Sequence, residues 1–230
     1  MIARSKRYKN SIKDLSLDDE LSLTDALGRL EGFGKAKFDE TVELSFSLGV
    51  DPKQSSLAVR GTVNLPNGSG KEIRVLVFTE KSDEALSAGA DIAGLDDVIS
   101  KIKDGWMEFD VALSTTGAMK SVRSIARVLG PRGLMPTPKA GTVTDDIDEA
   151  IKAVKAGRVE FKMDKTGSLA VVIGKRSFSQ EQLQENAKTA LEAVLASRPG
   201  GLKGRFVKTI SVSSTMSPSV RISGSAMAQS

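Results

Sequence analysis

The chain has 230 residues, room for one large domain or two modest ones, and its 40% apolar and 27% charged residues rule out a wholly disordered chain. It contains no cysteine and no histidine. That excludes disulfides, thiolate catalysis, Ser-His and Cys-His dyads, and zinc sites built on Cys or His. Thirty-three Lys and Arg against 29 Asp and Glu give +4, a weak hint of a polyanionic partner. The excess is uneven: residues 1–65 carry 10 cations and 10 anions, residues 66–158 carry 13 and 14, and residues 159–230 carry 10 and 5. A nucleic-acid surface is therefore expected to include the last third.

No apolar run approaches the roughly 20 residues that cross a bilayer. The basic opening has no apolar core behind it, so the start does not read as a secretory signal. The chain reads as soluble, without a membrane partner.

Leu21, Leu23, Ala26, Leu27 and Leu30 recur at helical spacing, with Ser22 as N-cap and Gly32 and Gly34 ending the run. Residues 40–48 alternate, with Val42, Leu44, Phe46 and Leu48 on one side and Thr41, Glu43, Ser45 and Ser47 on the other. This predicts a half-buried strand of an antiparallel sheet. Leu57, Val59, Gly61 and Val63 predict a second strand, and Pro66-Asn-Gly-Ser-Gly a turn or linker.

The texture then changes. Short apolar strands at 73–78, 90–93 and 109–113 alternate with helical segments at 82–88, 95–102 and 117–129. Such β-α-β-α-β-α order predicts a layer of parallel strands. The loop Gly130–Val143 holds three glycines and three prolines, and a helix over 145–156 follows. From residue 158 the antiparallel flavour returns. Val159–Met163 and Leu169–Ile173 flank Asp164-Lys-Thr-Gly-Ser168, a hairpin signature. A helix capped by Ser179 runs to about Ala196, Val207, Ile210 and Val212 form a last strand, and residues 215–222 extend it. The expected fold class is mixed α/β and α+β: a discontinuous antiparallel α+β domain, residues 1–67 with 158–230, interrupted by an inserted three-layer, Rossmann-like α/β domain over 68–157.

Gly68-Ser-Gly-Lys71 resembles the end of a phosphate-binding loop, but the full pattern needs glycine where Leu65 stands and Ser or Thr where Glu72 stands. No dinucleotide fingerprint follows a strand. The Gly130–Val143 loop allows two readings, a connector that docks Leu134, Met135 and Val143 on its own domain, or a presented loop that offers Arg132 and Lys139 to RNA or a partner. Lys35, Lys37 and Phe38, the lysines at 162 and 165 with Thr166, and Lys175 with Arg176 converge on one rim if the two flanks pair into one sheet. There Phe38 could stack on a base while lysines meet phosphates. Hydroxyl-dense Ser213–Ser217 suits 2′-hydroxyl and phosphate contacts. Taken singly, each of these rim and turn groups fits a solvated rim or a polar turn better than an RNA contact.

Together, Lys37-Phe-Asp-Glu-Thr-Val-Glu43, Gly130-Pro-Arg-Gly-Leu-Met-Pro136 with Pro138–Val143, Asp164-Lys-Thr-Gly167 and Ser214-Thr-Met216 resemble the bacterial-type L-one family of large-subunit ribosomal proteins. The resemblance spans about residues 4 to 223. It implies two domains, a non-enzymatic role without a cofactor, and a place on the mobile stalk of the large subunit, in a cytoplasmic or organellar ribosome. The implied partners are large-subunit rRNA, other ribosomal components, deacylated tRNA at the exit site and, in some members, their own mRNA. The implied rRNA contacts are Lys37, Phe38, Thr41 and Glu43, then Asp164, Lys165, Thr166 and Gly167, then Ser213, Thr215, Met216 and the following residue. That residue is usually glycine in the family and is Ser217 here. Pro218 biases Ser217 toward negative φ, where its hydroxyl could supply a contact of its own. A small-ligand-binding α/β protein and a protein-interaction module without an RNA role are the alternatives.

Overall fold

The computed structural model describes residues 5–13, 19–52, 57–138, 141–202 and 204–224. Chain contacts divide into two compact units, one made of the segments up to Gly70 and from Val159, the other of Lys71–Arg158.

Unit 1 opens with α1 (Lys6–Ile12), β1 (Glu20–Leu21), α2 (Leu23–Gly32), β2 (Thr41–Leu48) and β3 (Arg60–Asn64). Unit 2 contributes β4 (Val75–Phe78), α3 (Ser82–Ser87), β5 (Ile92–Gly94), α4 (Asp96–Lys103) and β6 (Val111–Ser114). It continues through α5 (Met119–Val122), a 3-10 turn (Arg123–Ile125), α6 (Ala126–Leu129) and α7 (Ile147–Lys155). The chain closes with β7 (Arg158–Lys162), β8 (Ser168–Lys175), α8 (Gln180–Ala196), β9 (Val207–Ser214) and β10 (Val220–Ile222).

In unit 1, β2 lies between β9 and β8 in a sheet ordered β1-β10-β9-β2-β8, antiparallel except for the two-residue β1–β10 pair. The alternation of β2 is realised: Val42, Leu44, Phe46 and Leu48 are buried, and the residues between them are half-buried. The buried row packs with Ala26, Leu27 and Leu30 of α2 and with Leu183, Ala187, Ala190 and Val194 of α8 in one cluster. Each such buried Val, Leu or Phe side chain contributes about 1.5–3 kcal/mol. Ser22 caps α2 by accepting from the Asp25 amide, and Ser179 with Gln182 forms a reciprocal capping box on α8.

The segment at 67–70 is tied to α8. Asn186, fully buried, accepts from the Asn67 amide at 3.0 Å and donates to the carbonyls of Gly68 at 3.0 Å and Ile173 at 2.7 Å. Gly70 has φ of +69°, and a Cβ there would lie 2.8 Å from Lys175 and Phe178 side-chain atoms, so only glycine fits without rearrangement.

In unit 2 the strand order is β5-β4-β6, all parallel. Alternate residues of β4 enter different clusters. Leu76 and Phe78 pack with Val98, Ile102, Val122, Ile125 and Leu129, whereas Val75 and Val77 pack with Ala85, Ile151 and Val154. Helices thus cover both faces, which is why β4 reads as an unbroken apolar run. The helix expected over 117–129 is divided by the 3-10 turn at Arg123–Ile125. Four of residues 121–125 are Ser or β-branched, poor supports for a continuous α-helix.

One expectation needs correcting. Val159–Met163 and Leu169–Ile173 do not form a hairpin: β7 joins β3 in a two-stranded sheet, while β8 joins β2. The turn between them passes the chain from one sheet to the other.

Candidate nucleic-acid interface

The helix-free rows of the unit 1 sheet are rich in Ser and Thr, with a few larger side chains among them. By register, Glu43 lies between Val172 of β8 and Ser213 of β9, Ser45 between Ala170 and Ser211, and Ser47 between Ser168 and Thr209. Arg221 of β10 and Glu20 of β1 prolong the middle row. All of these residues are half-buried or exposed. The result is a shallow surface rich in hydroxyls. Among the described residues the Glu43 carboxylate has no hydrogen-bond or ion-pair partner, so its acceptor sites are open.

At the Thr41 end of this face, three distant segments are fastened together by Glu40, which is 1% exposed. Its Oε1 accepts from the Ala36 amide at 2.8 Å and lies 3.4 Å from Arg176 Nη1. Its Oε2 accepts from Ser214 Oγ at 2.5 Å and from the Met216 amide at 3.2 Å. Burial alone would raise the Glu40 pKa. The Ser214 hydroxyl, the amides of Ala36 and Met216 and the Arg176 charge outweigh it and hold the carboxyl below its ordinary value. Arg176 in turn donates to the carbonyls of Leu30 and Phe33. Thr215 and Thr41 are cross-linked, Thr215 N–H to the Thr41 carbonyl at 3.0 Å and Thr41 N–H to Thr215 Oγ1 at 3.1 Å. Lys175 Nζ donates to Thr41 Oγ1 at 2.8 Å.

These bonds present two apolar side chains to solvent. Phe38 and Met216 are each 50% exposed, and among the described residues Leu86 is the only other large apolar side chain so exposed. Phe38 lies between the two residues, Ala36 and Glu40, that the carboxylate ties down, and Met216 hangs from the same carboxylate. Lys35 and Lys37 beside it are also exposed. Arg176, by contrast, belongs to the interior, with only 5% of its side chain accessible. It is a brace, not a rim cation.

Ser217 has negative φ, since no non-glycine residue among those described is positive. Its hydroxyl is committed to the turn, accepting from the Ser214 amide at 2.9 Å and donating to the Pro218 carbonyl at 2.9 Å. It holds Ser214–Ser217 in shape.

The Asp164–Gly167 turn lies at the other end of the face. β8 runs antiparallel to β2, so Lys175 is opposite Thr41 and Ser168 is opposite Ser47. Six residues of strand, about 20 Å, separate the two ends. The expected convergence on one rim is therefore replaced by two ends joined by the hydroxyl face. The exposed Asp164 carboxylate folds back on its own turn: Oδ1 accepts from the amides of Thr166 and Ser168, each at 2.8 Å, and the Thr166 hydroxyl bonds both carboxylate oxygens. The Thr166 hydroxyl first, then those amides, hold the Asp164 pKa below its ordinary value. Gly167 takes φ of +82° and its carbonyl accepts from the Leu48 amide at 2.9 Å. Asp164, Thr166 and Gly167 thus build the turn, and exposed Lys165 is what the turn offers.

A sequence profile of the Ribosomal protein L1p/L10e family matches residues 30–218. The chain belongs to that family. It is 48% identical over 224 residues to the protein named "Large ribosomal subunit protein uL1" of Kosmotoga olearia, covering 96% of this chain and 97% of that one. It is 50% identical over 228 residues to the protein of that name from Persephonella marina, covering 96% and 94%. The Thermosipho melanesiensis protein of that name is 45% identical over 232 residues, the full length of both chains.

In this member of the family, the described parts of the loop over 130–143, residues 130–138 and 141–143, are docked on unit 2. Leu134 and Met135 pack against its core, and Ser114 pairs with Val143 beside β6. Arg132 stays exposed, and Lys139 lies outside the described residues. Nothing local in the sequence marks Glu40 or the bracing role of Arg176. Glu40 stands just before the alternating strand, where a glutamate looks like a solvated flank.

Proposed function

We propose that this chain is a non-enzymatic structural constituent of the large ribosomal subunit that binds rRNA through unit 1. The observation that supports this most is the hydroxyl-lined sheet face, bounded at one end by exposed Phe38 and Met216 and at the other by Lys165, in a member of a ribosomal protein family. Such a surface suits RNA. Ser and Thr hydroxyls reach phosphate oxygens and 2′-hydroxyls, and the free Glu43 carboxylate accepts from a 2′-hydroxyl or a base amine. Phe38 supplies a stacking face, Met216 an apolar contact, and Lys37 and Lys165 the phosphate contacts that anchor the RNA at each end. Glu40 and Asp164 act indirectly, by fixing the loop and the turn that carry those groups.

In this reading the two units are separate domains, the second inserted in the first. The role extends to the partners that the family resemblance implies: the mobile stalk of a cytoplasmic ribosome, deacylated tRNA at the exit site and the chain's own messenger. The test is a titration of the full chain with a large-subunit rRNA stem fragment, set against the double variant Ser45→Glu/Ser211→Glu. Two carboxylates in the middle row repel phosphate without touching the core. Saturable binding by the parent, weakened at least about 30-fold in the variant, is the expected result. No saturable binding at moderate salt, or equal affinity in both proteins, overturns the reading.

A further inference from the structure

Charge in unit 2 is segregated along the chain. From Val111 to Thr144 there are five Lys or Arg and not one Asp or Glu, whereas the rest of the unit holds eight cations and fourteen anions. Four of the five cations, Lys120, Arg123, Arg127 and Arg132, lie in the described residues, and all four are exposed. Lys120, Arg123 and Arg127 follow the spacing i, i+3, i+7 along α5, the 3-10 turn and α6, so they share one side. Val122, Ile125 and Leu129 point the other way, into the core. None of the four cations has a hydrogen bond or ion pair among the described residues. Elsewhere in the same unit some cations find partners, Lys71 and Arg74 at Asp110, Lys81 at Glu84 and Lys155 at Asp91, whereas Lys101, Lys103 and Lys152 have none among the described residues but stand among acidic neighbours in sequence.

We infer that this stripe is a second binding surface, for the sugar–phosphate backbone of RNA, separate from the hydroxyl face of unit 1. Three of the four cations are arginines, whose planar guanidinium matches a phosphate bidentately. Exposed Ser124 adds a hydroxyl between them. No large apolar side chain is exposed within 119–132, so the stripe lacks the aromatic or aliphatic core of a protein–protein interface. Cations alone read no base, so the surface holds RNA without regard to sequence. The acidic remainder of the unit repels the same polyanion and confines it to this side.

The test uses the full chain, alone and after saturation with the rRNA stem fragment. The probe is a labelled RNA duplex of unrelated sequence, titrated at several salt concentrations. The triple variant Lys120→Gln/Arg123→Gln/Arg127→Gln alters only exposed side chains and is compared with the parent and with Thr215→Ala. The parent should bind the duplex weakly, both alone and on top of the stem fragment. The triple variant should lower the slope of log K against log salt by about two to three units, from about 0.7–0.9 unit per phosphate contact. Its affinity for the stem fragment should stay within twofold, and Thr215→Ala should leave duplex binding unchanged. Unchanged duplex affinity and slope in the triple variant overturn the inference. So does competition by polyglutamate as strong as that by RNA, which would assign the stripe to an acidic protein. Failure of the stem fragment to bind the parent counts against the unit 1 reading alone, because the duplex readout does not depend on it.

Discussion

Glu40→Gln isolates the charge at the centre of the Thr41 end. The amide has the shape of the carboxylate but only one accepting oxygen. On one side it meets the Ala36 amide and Arg176, and on the other the Ser214 hydroxyl and the Met216 amide. Ser214 can rotate its hydroxyl to accept, but a backbone N–H cannot, so whichever way the amide turns, one donor faces another. Hydrogen bonds to charged groups contribute about 1.5–3 kcal/mol each, and breaking a buried pair costs about 3–5 kcal/mol. Losing the charge beside Arg176 and one amide bond should therefore destabilise unit 1 by about 3 kcal/mol, a large part of the 5–15 kcal/mol typical of a domain. In urea, with a slope of about 1–3 kcal/mol per molar, the circular-dichroism midpoint of unit 1 should fall by about 1–3 M. Trp106, the only tryptophan, lies in unit 2, and its fluorescence transition should stay in place. The pH dependence has a definite sign. The folded Glu40 carboxyl titrates below its ordinary value, so its contribution is present above the unfolded pKa and is lost as the pH falls through the folded one. The gap between parent and variant should begin to narrow as the pH falls below the ordinary glutamate value of about 4.3 and close only below the folded one. A variant within about 0.5 kcal/mol of the parent at pH 7, with unchanged RNA affinity, would refute the bracing role.

Ser217→Gly removes the acceptor for the Ser214 amide and frees the backbone, so stem-fragment binding should weaken by about 0.5–1.5 kcal/mol in a filter-binding titration; tighter binding would contradict this. Lys165→Ala should lower affinity and flatten the salt dependence by about 0.7–0.9 unit, whereas Met216→Ala should weaken binding at an unchanged slope; equal slopes for the two would undo their assigned roles. A chain in which a short Gly/Ser linker joins Gly70 to Val159 should fold cooperatively and keep most of its affinity for the stem fragment; a folded product without RNA binding would move the site out of unit 1.

Much of this fold is legible locally. The alternation over 41–48 announces one covered face, and the unbroken Val75–Phe78 run announces two. Ser22 and Ser179 mark helix starts because capping is settled within four residues. Strand partners are not settled locally, which is why the turn after β7 reads as a hairpin although it joins two sheets. The same limit hides Glu40, whose partners at 36, 176, 214 and 216 meet only once β2 is flanked by β8 and β9. Asp164 and Lys165 are adjacent in sequence but differ in role, because one side chain is consumed by the turn and the other is not. Arg176 reads as a rim cation until the carbonyls of α2 and the Phe33 loop close around it.

The most direct test of the account is site-specific photocrosslinking in assembled large subunits, from probes placed singly at Lys37, Ser45, Ser211 and Lys165, with Leu86 of unit 2 as the comparison. All four unit 1 positions should crosslink to one continuous region of rRNA, with Ser45 and Ser211 reaching nucleotides between those reached from Lys37 and from Lys165. Crosslinks from Lys37 and Lys165 to unconnected RNA regions, with none from the middle of the face, would contradict it.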